Sequence, residues 1–187
     1  MRSVLIAPHS DDEALFAGLI CIRYKPQVIV VTDSFVQYER GQKEITAHRR
    51  RDETRRACEV MGVEPVFLGL ADDCFEEPRH IRAMLSEAQW AADIFFVPAL
   101  QGGNRQHNLC SFAFNEIRTC ERLVEYSTYA KGEFLTPVEG FVELVPTPEE
   151  IEIKERALRC YESQAWQGHM EAVRKEGYRE WVSRLPS

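Results

Sequence analysis

Four almost continuous apolar runs of strand length occur in the first hundred residues, and they limit the possible folds more than any other feature. They cover residues 2–7, 27–32, 65–69 and 93–97. Apolar runs this short are typical of strands that are buried on both faces. Helical patterns separate them, so the sequence predicts a Rossmann-like three-layer α/β sandwich, with helices on both faces of a mostly parallel sheet.

Helix signals lie between these strands and near the C-terminus. Three helices are predicted between the runs, at residues 13–22, 43–61 and 78–92. Gly62 follows the second of them directly, at the position where glycine commonly ends a helix. Farther on, Thr147 is a good N-cap residue and Pro148 suits a first helical position. The sequence therefore predicts a last helix that begins at Pro148.

The second half of the chain has weaker patterns. We expect a helix from the Gly102-Gly103 loop to about Tyr129, and later strands at 134–135 and 139–145. The length of 187 residues is enough for one full hydrophobic core and short for two. Because there is no repeat, low-complexity tract or linker, a single domain over residues 1–187 is predicted.

Composition argues against several kinds of partner. The net charge of −7 and the isoelectric point near 5.3 argue against nucleic-acid binding. No segment has the length of a membrane span, and the N-terminus enters a core-like strand without a signal-peptide pattern. The six cysteines are scattered without a CxxC pair, which suits reduced thiols. We therefore expect a cytoplasmic protein that acts on a small molecule, and the sequence leaves open whether it forms a homo-oligomer.

The segment 8–13, with the sequence PHSDDE, directly follows the first strand. His9 and Asp12 can together bind one divalent metal ion, and Asp11 between them can act as a base on metal-activated water. A DDE run by itself is more often a solvated turn or a helix cap. A metal site at this segment therefore needs a third ligand from elsewhere in the chain.

The predicted topology indicates where that ligand lies. In a doubly wound sheet the binding crevice opens at the carboxyl ends of the strands, where the winding reverses. If the fourth strand lies on the other side of the first, the loops after these two strands face each other. The later loop leads to His107, which we predict to be the third ligand. The other histidines, His48, His80 and His169, are interpreted as solvated or packing residues.

The chain also resembles a known family. The PHSDDE segment is similar to the H-P-D-D-E motif of the PIG-L/LmbE-like zinc-dependent de-N-acetylases, and residues 104–107 partly match that family's H-x-D-H loop. Arg50 and Glu53 match an R-x-x-E helix pattern, and residues 161–164 match Y-x-S-Q. The resemblance spans most of the chain, and its first motif is specific.

This resemblance implies one zinc ion per chain, bound by His9, Asp12 and His107, with Asp11 as the general base. It implies a hydrolase that removes the acetyl group from an N-acetylated amino sugar, such as an N-acetylglucosamine conjugate, and releases acetate and a free amine. It also selects Arg50 as a residue that binds substrate oxygens.

Two further substrate contacts are predicted from their position. Asp72 and Asp73 follow the third strand, at the ligand-binding edge of the sheet. Either could bind a sugar hydroxyl, and either could equally be a turn residue, because aspartate favours turns.

Three positions depart from the family pattern. Ser10 replaces a proline, which costs only loop stiffness. Asn104 replaces a histidine; its amide can donate a hydrogen bond to an oxyanion but cannot deliver a proton. Gln106 replaces an aspartate and could still orient His107. We therefore hypothesise that Asp11, once protonated, also serves as the general acid. Both limbs of a bell-shaped pH profile should then survive Asn104→Ala, and loss of the basic limb would contradict the hypothesis.

Other functions stay open. The same metal site could cleave another small amide, and the changes at Asn104 and Gln106 could mark a metal-retaining binding protein without turnover. A nucleotide-binding Rossmann domain is disfavoured, because the first strand–helix turn is acidic and lacks G-x-G-x-x-G.

Overall fold

The computed structural model describes residues 1–34, 47–70, 92–117, 123–130, 133–135 and 137–185. Its strands are β1 Ser3–Ala7, β2 Gln27–Thr32, β3 Pro65–Leu70, β4 Ile94–Pro98, β5 Leu123–Tyr126, β6 Tyr129–Ala130, β7 Glu133–Phe134, β8 Val142–Leu144 and β9 Glu180–Val182. Its helices are α1 Asp12–Leu15, α2 Gly18–Tyr24, α3 Ala47–Met61, α4 Arg105–Ile117, α5 Pro148–Leu158, a 3₁₀ helix Glu162–Gln167, and α6 His169–Lys175.

Seven of the described strands form one sheet in the order β3-β2-β1-β4-β5-β9-β8. The first five strands of this sheet run parallel, whereas β9 and β8 are antiparallel to their neighbours. Because β2 and β4 lie on opposite sides of β1, the winding reverses at β1. The predicted α/β sandwich with a mostly parallel sheet is therefore confirmed.

Alternate side chains of the central strands enter two separate hydrophobic cores. On one face, Leu5 and Val28 pack with residues of α1, α2, α3 and α5. On the other face, Ile6 and Ile29 pack with α4 through residues such as Phe114. Burial on both faces explains why these strands read as continuous apolar runs.

Two predicted helix ends have the expected geometry. Gly62 follows α3 with a φ of 71°, and the next N–H bonds back to the Cys58 carbonyl oxygen at 2.9 Å. Thr147 caps α5: its hydroxyl accepts the Glu150 N–H, and the Glu150 side chain accepts the Thr147 N–H. Pro148 occupies the first turn as predicted.

The predicted helix to Tyr129 is wrong. The helix α4 ends at Ile117, and the chain forms β5 beside β4 instead. Side chains of β5 alternate between half-buried and buried, a two-residue period that suits a strand. Tyr126 of this strand is fully buried, and its hydroxyl donates to the Ile6 carbonyl oxygen at 2.6 Å. This pairing across the sheet prevails over the local helical pattern.

The predicted helix over 13–22 is two helices, which are separated just before Gly18. A Cβ atom at Gly18 would lie 3.0 Å from the Lys154 side chain, so this close approach favours glycine, a weak helix former. The predicted helix over 78–92 lies outside the described residues except for its last position. The start of the predicted helix over 43–61, at residues 43–46, also lies outside them. None of the described helices is both long and apolar enough to cross a membrane.

Candidate metal centre and active site

Two loops meet at the carboxyl edge of the sheet. The strands β1 and β4 are parallel neighbours, with Val4 paired to Phe95. The segment between β1 and α1 contains His9 and Asp11, and the segment between β4 and α4 ends at Asn104. Because parallel neighbours end at the same edge of a sheet, the first segment faces the start of α4.

Three potential metal ligands face one another at this edge. The atoms His9 Nδ1, Asp12 Oδ2 and His107 Nε2 are each 3.2 Å from the other two. Asp12 and His107 are each only 1% exposed. Ligand atoms at roughly 2.0–2.1 Å from a tetrahedral zinc ion are about 3.3 Å apart, so the size of this triangle suits zinc.

The charge and hydrogen bonding of the triangle also suit a cation. Asp12 Oδ1 and His107 Nδ1 are buried and have no hydrogen-bond partner among the described residues. Burial by itself would raise the pKa of Asp12, but the His107 and His9 rings outweigh it and hold that pKa well below its usual range. Two imidazoles and one carboxylate are a ligand set of catalytic zinc sites, which keep one position open. The residues present therefore fit a zinc ion.

Asp11 lies beside this triangle and is also buried. Its carboxylate is 3.2 Å from Arg50 Nη2, and the same guanidinium donates to the Ser10 carbonyl oxygen. Burial raises the pKa of Asp11, Arg50 opposes this shift, and the neighbouring Asp12 reinforces it. A buried carboxylate whose pKa is raised and whose direction is fixed is suited to accepting a proton.

The motifs that carry the family resemblance contact one another in the fold. The Tyr161 hydroxyl donates to Glu13 Oε1. Ser163 donates to Glu53 through its N–H at 2.9 Å and its hydroxyl at 2.5 Å. Glu13 and Glu53 are fully buried, and burial raises the pKa of Glu13 to about 8. Each of these carboxyl groups is thus bound by a residue more than 100 positions away.

Arg50, a predicted substrate-binding residue, has unpaired donors. It is 3% exposed, and its Nε and Nη1 groups have no hydrogen-bond partner among the described residues. A guanidinium suits sugar hydroxyl or carboxylate oxygens, but these two groups are themselves buried, so substrate binding by Arg50 stays a prediction. Asp72 and Asp73 lie outside the described residues, so their place in the site stays a prediction.

Asn104 caps α4 and thereby fixes the first turn of that helix, which carries His107. Its side-chain oxygen accepts the N–H groups of Gln106 at 2.9 Å and of His107 at 3.3 Å. The proposed contact of the Asn104 NH₂ group with an oxyanion stays a prediction. Because His107 Nδ1 has no hydrogen-bond partner in the described part of the chain, Gln106 does not orient that ring through Nδ1.

An aromatic contact links the site to the C-terminal part of the chain. The Tyr129 ring lies 5.1 Å from the His107 ring, and the His169 ring lies 5.8 Å from Tyr129. Burial lowers the pKa of His169, while the charges of Asp11 and Asp12 oppose this shift. His169 therefore packs against Tyr129, as expected of a packing residue. The charges of Asp11 and Asp12 also affect its pKa. No local pattern around His169 indicated that second property.

Comparison with known proteins agrees with a hydrolytic metal site. A family model described as GlcNAc-PI de-N-acetylase, or PIG-L, matches residues 4–117, which is more than half of the chain. The chain belongs to this family. It is therefore a de-N-acetylase by class, a hydrolase of amide bonds. A comparison with curated protein sequences found no significant match.

Several solved structures share the fold. The conserved protein TT1542 from Thermus thermophilus has a TM-score of 0.73 and 21% identity, over 100% of this chain and 96% of that one. A deacetylase triple mutant of teicoplanin biosynthesis has a TM-score of 0.69 and 16% identity, over 100% of both chains. The N,N'-diacetylchitobiose deacetylase from Pyrococcus horikoshii has a TM-score of 0.68 and 18% identity, over 94% of this chain and 74% of that one.

Proposed function

We propose that this protein is a zinc-dependent de-N-acetylase that acts on an N-acetylated amino sugar of the N-acetylglucosamine type and releases acetate and a free amine. The observation that carries the proposal is the triangle of His9, Asp12 and His107, with Asp11 beside it. Bound zinc would supply a Lewis acid for the amide carbonyl and would lower the pKa of water towards about 7.

Asp11 has the central proton-transfer role in this proposal. Its carboxylate, directed by Arg50, accepts a proton from the attacking water as the new C–O bond forms. The amide C–N bond then breaks, and the leaving nitrogen takes up a proton. Because Asn104 cannot deliver one, the protonated Asp11 returns it to that nitrogen.

The other predicted residues stabilise the oxyanion or bind the substrate. Asn104 donates through its NH₂ group to the oxyanion that develops on the carbonyl oxygen. Arg50 binds substrate oxygens, as the family resemblance implies. Asp72 and Asp73 remain candidates for contacts with sugar hydroxyls.

We further propose one zinc ion per chain, a small-molecule substrate and a cytoplasmic location. Cys21, Cys58 and Cys110 are buried free thiols, which suits a reducing compartment. The family match and the deacetylases of the same fold support the reaction class, and the choice of sugar follows the family description.

Metal analysis combined with acetate release tests the proposal. We expect about one zinc ion per chain in protein purified without added metal or chelator, and acetate from N-acetylglucosamine or N,N'-diacetylchitobiose but not from an N-acetyl amino acid. Asp12→Asn should lose both zinc and acetate release, because it weakens a ligand. Asp52→Asn is the matched control, since Asp52 is 47% exposed on α3 and should keep both.

Each alternative has its own result. Acetate from the N-acetyl amino acid alone would indicate an amidase for another small amide. Stoichiometric zinc without acetate from any of these amides would favour a binding protein that lacks turnover. A folded chain without stoichiometric metal would contradict the proposal as a whole.

A further inference from the structure

The backbone of Asp11 has an unusual conformation. Its φ is 147° and its ψ is −20°, which lies outside the regions that residues with a side chain normally adopt. Such a conformation persists only where surrounding contacts hold it, and strained residues of this kind cluster at functional sites. The contacts around Asp11 therefore show what keeps its carboxylate in place.

Every polar group of the Asp11 backbone is held. Its carbonyl oxygen accepts the N–H groups of Ala14 at 3.0 Å and Leu15 at 2.9 Å, which begin α1. Its N–H donates to Glu13 Oε2 at 3.2 Å. Arg50 forms an ion pair with the side-chain carboxyl group of Asp11. Among these contacts, Glu13 provides the one side-chain acceptor for the strained peptide itself.

Glu13 is in turn held by the far end of the chain. It is fully buried, so its orientation depends on protein partners alone. The Tyr161 hydroxyl donates to Glu13 Oε1 and also lies 3.2 Å from Thr54 Oγ1 on α3. Tyr161 is 1% exposed and stands 148 positions after Glu13. The carboxyl group of Glu13 thus joins the Asp11 peptide to Tyr161, which begins the Y-x-S-Q segment.

We infer that Tyr161 is a positioning residue for the reaction, which acts through Glu13 to hold Asp11 in the conformation that directs its carboxylate. Both side chains are buried and therefore act without direct contact with the substrate. Catalytic groups must be held within a fraction of an ångström, and misplacement by about 1 Å can cost roughly 100-fold in rate. The inference rests on the proposed role of Asp11 as the base.

Tyr161→Phe tests this inference, with Tyr126→Phe as its matched control. Tyr126 is a fully buried tyrosine whose hydroxyl also makes one strong hydrogen bond, but to the strand β1. We expect Tyr161→Phe to lower kcat about 10- to 100-fold, with KM within twofold and zinc affinity of the apoprotein within threefold of the wild type. Tyr126→Phe should keep kcat within twofold, at an assay temperature where all variants are folded.

Amide hydrogen exchange of the apoprotein gives a readout without catalysis. Peptides that cover residues 9–15 should exchange faster in Tyr161→Phe than in Tyr126→Phe. This result stands even if the wild type releases no acetate, so failure of the proposed function is distinguishable from failure of the inference. Unchanged exchange in these peptides, or a kcat equal to that of the control, would overturn the inference.

Substitutions at Glu13 separate hydrogen bonding from packing. Glu13→Gln keeps an acceptor for the Asp11 N–H and should retain kcat within about fivefold of the wild type. Glu13→Leu has a side chain of similar size without an acceptor, and its kcat should fall as far as that of Tyr161→Phe. In the Glu13→Leu background, Tyr161→Phe should have almost no further effect on kcat, because the two side chains act in series. Losses that multiply independently would contradict the series arrangement.

Discussion

Asn104 has an observed structural role and a proposed catalytic role. Its oxygen caps α4 and fixes the first turn that carries His107, and its NH₂ group is proposed to donate to the oxyanion. The family motif has a histidine at this position, so in the proposed enzyme an amide hydrogen bond replaces the contact that an imidazole would make. The two roles can be separated by substitution, because serine is also a good N-cap residue but has no amide NH₂ group.

We expect Asn104→Ser to lower kcat about 100-fold with little change in the free energy of unfolding, since one oxyanion donor is worth about 10²–10³ in kcat. Asn104→Ala should show the same loss of kcat and should also lose about 1 kcal/mol of stability with the cap. Steady-state kinetics and urea unfolding measure the two effects. A serine variant with wild-type kcat would mean that Asn104 serves only as the cap.

At the scale of secondary-structure elements, a buried ion pair joins α5, β9 and α2. Lys154 Nζ donates to Glu180 Oε1, and both side chains are fully buried. The same oxygen accepts the Leu19 N–H at 2.9 Å, near the start of α2. Burial raises the pKa of Glu180, and the Lys154 ammonium opposes this shift. The pair therefore fixes how these three elements pack.

Lys154→Met should destabilise the fold by about 3 kcal/mol, because it leaves Glu180 buried without its cation. The double variant Lys154→Met with Glu180→Gln should recover most of this loss, since a neutral amide can still accept the Leu19 N–H. Urea unfolding at pH 7 measures both free energies. A Lys154→Met variant as stable as the wild type would contradict the prediction that Glu180 needs its cation.

The elements differ in how far their own sequence determines them. The strands β1 to β4 each have an apolar run of the right length, so they were predictable one at a time. The strand β5 was not, because its four residues follow a helix and receive their strand partner, β4, from another part of the chain. The short strand β9 likewise depends on β5 and β8 beside it.

At the scale of the whole molecule, ion pairs of α5 hold distant elements together. Arg23 of α2 binds Glu150 at 2.7 Å and lowers the pKa of that carboxyl to about 2. Burial would raise the pKa of Glu155, but hydrogen bonds from Arg174, Arg159 and Tyr178 outweigh it and lower the value to about 2. The side chains of Glu150 and Glu155 are only 14% and 17% exposed.

These shifts predict a loss of stability in acid. A carboxyl whose pKa is lower in the folded state than in the unfolded state stabilises the fold above its ordinary pKa, 4.5 here, and this stabilisation is lost as the pH falls to about 2. We expect the double variant Glu150→Gln with Glu155→Gln to lose roughly 1–2 kcal/mol of its free energy of unfolding at pH 7, because ion pairs near the surface contribute modestly. Between pH 4.5 and 2, its free energy of unfolding should decrease less than that of the wild type. Urea unfolding at several pH values measures this.

Glu152→Gln provides the control, because Glu152 is exposed on the same helix. It should leave the acid dependence close to that of the wild type. A double variant with the full acid dependence of the wild type would show that other carboxyls determine it.

The sequence by itself determined the central strands and the two loops from which His9, Asp12 and His107 come, whereas the reversal of winding at β1 was a condition of that prediction and was decided by the strand order of the structure. The strands follow from their apolar runs, which are local features of the sequence. The two loops follow from the spacing of His9 and Asp12 and from the general rule about where doubly wound sheets open. The metal-binding role of the three residues stays a prediction, although the fold brings their ligand atoms to 3.2 Å of one another.

Only the tertiary structure decided which distant groups hold the loop after β1. The hydrogen bonds from Tyr161 to Glu13 and from Arg50 to Ser10 join residues 148 and 40 positions apart. The capping role of Asn104 and the nearness of His169 to the site's charges also depend on backbone geometry and packing. Sequence patterns report which side chains are buried, but the direction of a buried polar group is set by partners that folding brings to it.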